Sequence, residues 1–342
     1  MKDDLPARAP TQSYANPVAA TLTGILDLFR KKVRVGELTP EDRLDGKICL
    51  VTGATSGLGK ASAIELARRG ASVILACRSG IPDAGEDVKR ESASDKIEMI
   101  RLDLADFASI HECCDRLRDR GVKLDRIILN AGIVPRRPLK TAQGFEMMFG
   151  VHFVGNALLL KRLLADGVIP NESFTTAPVR PGPERPRIVF VSSETHRSGT
   201  PIDFATLGQP VEYGAMSSIA QYGHSKLVMT AWLTELSRRL VRNGKPDVSV
   251  HYLCPGPINS NIARDAPGFV KPLLGGVMGL LFASPEKARE PVIYLAASRA
   301  IEGHTGIYLH LMTRKLPAAQ ALDPNIGQRL WTEAERLAGR AR

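Results

Sequence analysis

The chain has 342 residues and a formal net charge of +10, from 46 Lys and Arg against 36 Asp and Glu. With 44% hydrophobic residues, 24% charged residues and 30 glycines that show no period, the composition excludes a disordered or fibrous protein. The five cysteines are an odd number without zinc-binding spacing, so we expect no metal site and a reducing compartment. The positive charge raises the question of nucleic-acid or membrane binding.

The first predicted element is an amphipathic helix over residues 17–34. Asn16 and Pro17 form a helix start, apolar residues then recur at helical spacing, and basic residues cluster over 30–34. One interpretation is an interfacial anchor on anionic lipid. The other is a helix packed on the main domain, with its cations at the negative end of the helix dipole. Because no signal-peptide core and no run of 18 uncharged apolar residues are found, we expect a cytoplasmic protein, with any membrane contact peripheral.

From about residue 46, short β-rich runs alternate with helical segments. The seven predicted strands are 48–52, 72–77, 97–102, 125–130, 187–192, 248–254 and 306–311. This alternation predicts an α/β fold of Rossmann type, a doubly wound parallel sheet flanked by helices. We expect one domain at 46–315, preceded by an N-terminal extension over 1–45 and followed by a helical tail over 316–342.

The first predicted strand runs directly into a glycine-rich turn, and a helix follows. Glycine lets the backbone turn tightly and approach a pyrophosphate, and the helix N-terminus then offers free N–H groups. In this strand–turn–helix context the pattern predicts a dinucleotide site, with an ordinary Gly-rich loop as the alternative. The expected cofactor ligands in the turn are Gly53, Thr55, Ser56, Gly57, Leu58 and Gly59.

The spacing Thr-Gly-x-x-x-Gly-x-Gly in this turn resembles that of the short-chain dehydrogenase/reductase family. Further matches follow in order, over roughly residues 46–315: Asp103, Asn130-Ala131-Gly132, Val191-Ser192-Ser193, Tyr222-x-x-x-Lys226 and Pro255-Gly256. The resemblance implies that a nicotinamide cofactor is held by Asp103, Leu104, Asn130, Ala131, Gly132, Tyr222, Lys226, Pro255, Gly256 and Ser260. Because family members are often dimers or tetramers, it also leaves a homo-oligomer open.

The end of the second strand favours NADP(H) over NAD(H). An acid about twenty residues past the glycines would bind the ribose 2′-hydroxyl of NAD, whereas an arginine there suits a 2′-phosphate. The chain has no acid at this place and carries Arg78, while Lys60 after Gly59 is a second candidate cation. The alternative is that Arg78 is only a solvated loop charge.

Tyr222 and Lys226 are four residues apart, so on a helix they share one face. A phenol with a pKa of about 10 has to exchange a proton near neutral pH, and an adjacent ammonium stabilises its phenolate. By resemblance, Tyr222 is the general acid for carbonyl reduction and the base for alcohol oxidation. Lys226 would lower the pKa of Tyr222 and hold the nicotinamide ribose, and Ser193 would hydrogen-bond the reacting carbonyl oxygen. The cofactor supplies the hydride chemistry.

One position departs from the family pattern. His152 stands where the family usually carries an asparagine that helps to hold a water-linked proton relay to the lysine. Because histidine can also bond a water, a catalytic relay role is one interpretation, and a packed histidine without that role is the other.

Within the family, the chain looks most like the branch that includes retinol dehydrogenases and related lipid-alcohol dehydrogenase/reductases. The supporting residues are Ala76-Cys77-Arg78, Gly144-Phe145-Glu146-Met147 and Gln328-Arg329-Leu330-Trp331. The glycine-interrupted apolar segment 268–282 lies where the family places a mobile substrate lid, with a buried core helix as the alternative. These features predict an NADP(H)-dependent oxidoreductase that interconverts an alcohol and an aldehyde or ketone on a retinoid-, steroid- or fatty-aldehyde-like substrate.

Two other function classes are alternatives to this prediction. A dinucleotide-binding regulator or scaffold that has lost turnover is the alternative hypothesis, and the change at His152 is its only support. A nucleic-acid partner is not expected, because net charge alone favours it and no aromatic–basic interleaving or recognised module is found.

Overall fold

The structure is a computed structural model that describes residues 5–6, 33–175, 184–197, 201–214, 217–257 and 283–339. Ser260 and the proposed lid 268–282 lie outside the described residues, as does the predicted helix 17–34 except for its last two positions. The expected division of the chain at residues 45 and 315 stays a prediction.

A parallel β-sheet forms the centre of the fold. Its strands confirm the seven that the sequence predicts. The strands are β1 Ile48–Thr52, β2 Ser72–Cys77, β3 Ile97–Arg101, β4 Arg126–Leu129, β5 Arg187–Val191, β6 Val241–Arg242, β7 Lys245–Pro246, β8 Ser249–Cys254, β9 Tyr308–His310 and β10 Thr313–Lys315. Eight of them form the sheet in the order β10-β9-β8-β5-β4-β1-β2-β3, while β6 and β7 pair separately. Only β10 is antiparallel within the described sheet. The sequence did not predict β6, β7 and β10, because they are short and rich in polar residues and therefore show no hydrophobic pattern.

The strand order reverses beside β1, which pairs with β2 on one side and with β4 on the other. In doubly wound sheets, ligands bind in the crevice outside the carboxyl ends of the strands at such a reversal. The topology therefore places any ligand site at the ends of β1, β4 and β5, where the predicted motifs lie.

Helices cover both faces of the sheet, as the Rossmann-type prediction requires. They are α1 Gly57–Arg68, α2 Asp83–Ser92, α3 Phe107–Asp119, α4 Met147–Ala165, α5 Ser218–Arg239, α6 Pro285–Ala288, α7 Glu290–Ala297, α8 Ala319–Leu322 and α9 Pro324–Ala338. Two hydrophobic cores result. One joins the sheet to α3, α4, α5 and α9, and the other joins it to α1, α2 and α7.

Helix α4 is the one helix in the described ranges that is long and apolar enough to cross a membrane, by length and composition. Because 83% of its apolar window is buried inside the protein, it is a core helix. Its middle, Gly150–Val154, is a π-helical turn. The amide of Asn156 donates to the carbonyl oxygens of Val151 and His152 at 3.0 and 3.1 Å, and so satisfies carbonyls in this irregular turn.

The C-terminal helix α9 packs on the outer side of α5. Trp331 of α9 stacks on Trp232 of α5, with ring centroids 5.6 Å apart and planes 5° from parallel. The guanidinium of Arg239 lies 4.3 Å from the centroid of the Trp331 ring, and Lys161 Nζ lies 5.1 Å from it. Helix α5 is therefore fixed from both sides, by the sheet and by α9.

Candidate active site

A cavity of about 780 Å³ opens at the carboxyl ends of the central strands. Every predicted cofactor ligand among the described residues lines it, and so does Ser193. These residues are Gly53, Thr55, Ser56, Gly57, Leu58, Gly59, Arg78, Asp103, Leu104, Asn130, Ala131, Gly132, Tyr222, Lys226, Pro255 and Gly256. Residues spread over two hundred positions of sequence thus meet around one space.

Two glycines of the turn are required by close backbone contacts. Gly53 has φ +66°, and a Cβ there would lie 2.9 Å from the Cα of Ala131. A Cβ on Gly59 would lie 2.4 Å from the carbonyl oxygen of Gly53 and 2.5 Å from Nδ2 of Asn130. The N-cap residue of α1, Ser56, makes no side-chain capping bond, so the helix N-terminus offers its N–H groups to an anion.

Thr52 joins the glycine turn to the loop that follows β4. Its Oγ1 accepts hydrogen bonds from the backbone N–H groups of Asn130 and Ala131, both at 3.0 Å. The side-chain amide of Asn130 donates back to the carbonyl oxygens of Thr52 and Gly53, both at 3.1 Å. These four bonds hold two walls of the cavity together.

The two candidate cations of the phosphate site differ in position. Arg78 is exposed at the end of β2, lines the cavity, and forms no ion pair with any residue that the structure describes. Lys60 does not line the cavity, because its Nζ pairs with Asp87 at 3.1 Å and with Glu91 at 2.8 Å on α2. The prediction that Lys60 adds charge to the phosphate site is therefore wrong.

Ser193, Tyr222 and Lys226 come together at the other end of the cavity. Lys226 Nζ donates to the carbonyl oxygen of Val191 at 2.8 Å and lies 5.5 Å from the centroid of the Tyr222 ring. The phenol of Tyr222 hydrogen-bonds to the Ser193 side chain. Ser193 Oγ also accepts from the Thr195 hydroxyl at 2.9 Å, which leaves its own proton free to be donated.

The pKa values of this group follow from burial. Burial raises the pKa of Tyr222, Cys254 adds to that shift, and the hydrogen bond from Ser193 opposes it. Burial also lowers the pKa of Lys226 to about 7. The predicted lowering of the pKa of Tyr222 by Lys226 is not found in the structure, where the shift has the opposite direction. At neutral pH, Tyr222 is therefore a protonated phenol, and Lys226 gives up its proton more readily than an exposed lysine.

His152 is fully buried in α4 and does not line the cavity. Its Nε2 accepts a hydrogen bond from the backbone N–H of Ile133 at 3.0 Å, and its Nδ1 lies 2.8 Å from Ser225 Oγ. Since both ring nitrogens are engaged within the protein, neither is left to bond a relay water. The geometry therefore favours the packed histidine over the relay interpretation.

An apolar wall of the cavity was missed by the sequence analysis. It consists of Ile133, Val134, Pro135, Leu139, Met147, Val151 and Pro257. Two sequence signals could have found most of it. The run Ile-Val-Pro directly follows Asn130-Ala131-Gly132, and Met147 and Val151 are one helical turn apart at the start of α4.

A buried polar cluster behind Ser193 was also missed. Its centre is Glu194, whose Oε1 accepts from the Tyr308 hydroxyl at 2.5 Å, while Arg197 Nε and Lys315 Nζ lie 3.2 and 3.4 Å from its Oε2. Burial opposes ionisation of Glu194, but His310, Arg197 and Lys315 hold its pKa well below the usual range. The cluster connects the turn after β5 to β9 and β10. Because the sequence did not predict β10, it did not reveal this cluster either. Within the described part of the chain, no group of three His, Cys, Asp or Glu side chains could hold a metal ion.

Comparisons with known proteins agree with this geometry. The family model for short chain dehydrogenases matches residues 47–202. Human retinol dehydrogenase 13 is 35% identical over 335 residues, which cover 95% of this chain and 95% of that protein. Mouse polyprenol dehydrogenase is 32% identical over 340 residues and covers 97% of this chain and 95% of its own length. Among solved structures, an uncharacterised protein from Mycobacterium paratuberculosis matches with a TM-score of 0.64 and 26% identity, over 89% of this chain and 98% of its own.

Three observations identify the family of this chain. They are the Rossmann-type sheet, the glycine turn beside the strand reversal, and relatives above 30% identity that match over nearly their whole length. The chain belongs to the short-chain dehydrogenase/reductase family, is similar to its retinol dehydrogenases, and is an oxidoreductase that acts on alcohol and carbonyl groups.

Proposed function

We propose that the protein is an NADP(H)-dependent oxidoreductase that interconverts an alcohol and an aldehyde or ketone on a lipophilic substrate, with Tyr222 as the general acid and base. One observation carries the proposal. A single cavity has the uncapped N-terminus of α1 and Arg78 at one end, and Ser193, Tyr222 and Lys226 at the other.

The cavity fits a dinucleotide. Gly53 and Gly59 let the turn pack closely against Ala131 and Asn130, and the free N–H groups of α1, at the end of this turn, suit the charge of a pyrophosphate. Arg78 would hold a ribose 2′-phosphate, because it is a guanidinium that no described acid neutralises. When bound, the cofactor supplies hydride transfer.

The residues of this chain supply the proton and orient the carbonyl. Because the pKa of Tyr222 is raised, its phenol is protonated at neutral pH and is suited to donate to a developing alkoxide. Ser193 Oγ accepts a hydrogen bond from the Thr195 hydroxyl, so the Ser193 hydroxyl can donate its own proton to the carbonyl oxygen of the substrate. Lys226, whose pKa of about 7 is poised near neutrality, would return the proton to Tyr222.

The apolar wall supports a lipophilic substrate. Leu139 is 42% exposed although it lines the cavity, and Met147 and Val151 face the same space. Apolar side chains beside a polar catalytic group are typical of sites that bind hydrophobic ligands. The names of the relatives, retinol and polyprenol dehydrogenase, support the same substrate class.

Turnover on a carbonyl panel tests the proposal. The purified full-length chain is mixed with NADPH and retinal, a steroid ketone, a long-chain aldehyde or a short polar aldehyde, and the loss of NADPH absorbance is followed. We expect turnover with at least one lipophilic carbonyl, and a fall of about 10²–10⁴-fold in Tyr222→Phe. Tyr294→Phe, which changes a tyrosine outside the cavity, is the matched control and should keep full activity. Tight NADPH binding without turnover on the whole panel would favour the regulator hypothesis.

Cofactor preference has its own test. Arg78→Ala should raise the Kd for NADPH by about 10- to 100-fold, because a charge-assisted bond contributes about 1.5–3 kcal/mol, and should leave the Kd for NADH unchanged. Arg101→Ala is the matched control, since Arg101 is exposed at the end of the neighbouring strand β3 and does not line the cavity. Equal affinity of the Arg78 variant and the parent chain for NADPH would contradict the proposed role.

A cytoplasmic location, peripheral membrane contact through 17–34 and a homo-oligomer stay predictions. Arg34 at the end of that segment pairs with Glu290 of α7, which supports packing on the domain at this point. Co-sedimentation of the full chain with anionic vesicles tests the membrane contact, and light scattering tests the oligomer.

A further inference from the structure

Two buried histidines contact the two ends of the proposed catalytic group. His152 lies between the loop after β4 and helix α5, where its Nε2 accepts from the N–H of Ile133 at 3.0 Å and its Nδ1 lies 2.8 Å from Ser225 Oγ. Ser225 Oγ in turn donates to the carbonyl oxygen of Tyr222 at 2.8 Å. The edge of the His152 ring also contacts the Tyr222 ring, with centroids 5.5 Å apart.

His196 makes the same pattern of contacts at Ser193. Its Nδ1 lies 2.6 Å from the carbonyl oxygen of Ser193, and its Nε2 accepts from the backbone N–H of Ala318 at 3.0 Å. The side chain is 1% exposed. His196 therefore joins the strand end that carries Ser193 to the segment before α8.

The partners fix the tautomer of each ring. A backbone N–H can only donate, so Nε2 of each ring must be an unprotonated acceptor. The carbonyl oxygen of Ser193 can only accept, so Nδ1 of His196 must carry the proton. Ser225 Oγ uses its own proton on Tyr222, so it too accepts, from Nδ1 of His152. Both rings are therefore neutral Nδ1–H tautomers, and a second proton on either ring would break a hydrogen bond to a backbone N–H.

We propose that His152 and His196 are positioning residues, which as neutral Nδ1–H tautomers hold Tyr222 and Ser193 at the distance that proton donation to the substrate requires. This inference rests on the proposed function, because it assigns the two histidines to the residues that carry that function. It also gives the departure from the family pattern at His152 a physical role that needs no water relay.

The surroundings keep both rings neutral. Lys226 and the Tyr222 ring face His152, while Arg197, Glu194, Lys315 and the Tyr308 ring face His196. Burial, with Lys226, lowers the pKa of His152 well below its usual value. Burial and Arg197 lower the pKa of His196 to about 4, against the opposing effect of Glu194. Both contacts should therefore persist throughout the neutral pH range.

The tautomers can be measured without any activity assay. The full chain is labelled with ¹⁵N-histidine, and two-dimensional NMR at pH 7 separates the Nδ1–H, Nε2–H and doubly protonated rings. The signals of the two residues are assigned by their loss in His152→Gln and His196→Gln. We expect two Nδ1–H rings that do not titrate between pH 6 and pH 8. An Nε2–H or charged ring at either position overturns the inference, whatever the enzyme does.

Kinetics of graded variants test the positioning role. In His152→Phe both contacts are lost, whereas His152→Gln can keep an acceptor for Ile133 and His152→Asn can keep a donor for Ser225. We expect kcat to fall by about 10²-fold in the Phe variant, as for a misplacement of about 1 Å, with partial recovery in the amide variants and little change in KM. The Phe, Gln and Asn variants of His196 should show the same order of kcat values and the same small change in KM.

Controls separate this inference from the proposed function and from misfolding. His111→Gln changes a histidine on α3, outside the cavity, and should keep full kcat. Circular dichroism and NADPH-induced thermal stabilisation show which variants keep the fold and the cofactor site. A folded His152→Phe and a folded His196→Phe with unchanged kcat would refute positioning. If the parent chain itself never turns over, the proposed function fails, while the NMR result still decides whether the rings are held as stated.

Discussion

Thr52→Val should destabilise the protein although it keeps the size and shape of the side chain. Thr52 is 1% exposed, and its hydroxyl is the acceptor for two backbone N–H groups, those of Asn130 and Ala131. Valine offers no acceptor, so the N–H of Ala131 loses its partner and the N–H of Asn130 keeps only the carbonyl oxygen of Ile128, at 3.1 Å, while the methyl groups still fill the space. The change therefore isolates the hydrogen bonds from the packing.

The magnitude follows from the two lost bonds. A buried polar group left without a partner costs about 1–3 kcal/mol, and we take the lower half of that range because Asn130 and Ala131 are only partly buried. With about 1–2 kcal/mol for the unpaired N–H of Ala131 and about 0.5–1.5 kcal/mol for the bond lost by Asn130, the expected loss is about 1.5–3.5 kcal/mol in the free energy of unfolding. Thr52→Ser keeps the hydroxyl and loses a buried methyl group, which costs about 1 kcal/mol.

Urea unfolding followed by tryptophan fluorescence measures both variants, and NADPH titration measures the cavity. Hydrogen bonding predicts that the Ser variant is more stable than the Val variant, whereas hydrophobic burial alone predicts the reverse order. The Kd for NADPH should also rise in the Val variant, because the loop from Asn130 to Gly132 lines the cavity. A Val variant as stable as the parent chain would refute the reasoning.

Three further changes test other parts of the site. Gly59→Ala should cost about 1–3 kcal/mol and abolish NADPH stabilisation in a thermal-shift assay, because its Cβ meets the Gly53 carbonyl; retained NADPH binding would contradict this. Glu194→Gln should cost about 3–5 kcal/mol in urea unfolding, because it leaves buried cations without their anion, and a neutral result would show that the cluster contributes nothing. For Lys226 the folded pKa of about 7 lies below the unfolded value of 10.5, so between them the unfolded chain binds more protons and stability rises with pH. The free energy of unfolding of the parent chain minus that of Lys226→Met should therefore increase from pH 7 to pH 10, and a flat difference would mean that Lys226 stays charged.

The parallel sheet and the glycine turn could be predicted from sequence because their determinants are local. Short apolar runs such as residues 73–77 mark a buried strand, and the turn needs glycine wherever a Cβ would clash, as at Gly53 and Gly59. The motif residues that the structure describes meet around one cavity because the carboxyl ends of parallel strands share an edge.

The remaining features depend on contacts between distant segments. Lys60 follows the turn directly, but its direction is set by Asp87 and Glu91 on the next helix, which spacing alone does not reveal. His152 faces Ile133 and Ser225 because α4 contains a π-helical turn, and a regular period of 3.6 does not describe that turn. The pKa of Tyr222 is governed by burial, which only the folded chain defines.

The stacking of Trp331 on Trp232 makes helix α5, which carries Tyr222 and Lys226, dependent on a segment that does not line the cavity. A proteolytic cut before Pro324 removes α9 and opens the outer face of α5 to water. Exposing one indole of about 200 Å² costs on the order of 5 kcal/mol, which is comparable to the whole stability of many domains. Loss of α9 would therefore abolish the activity although every residue that lines the cavity is still present in the chain.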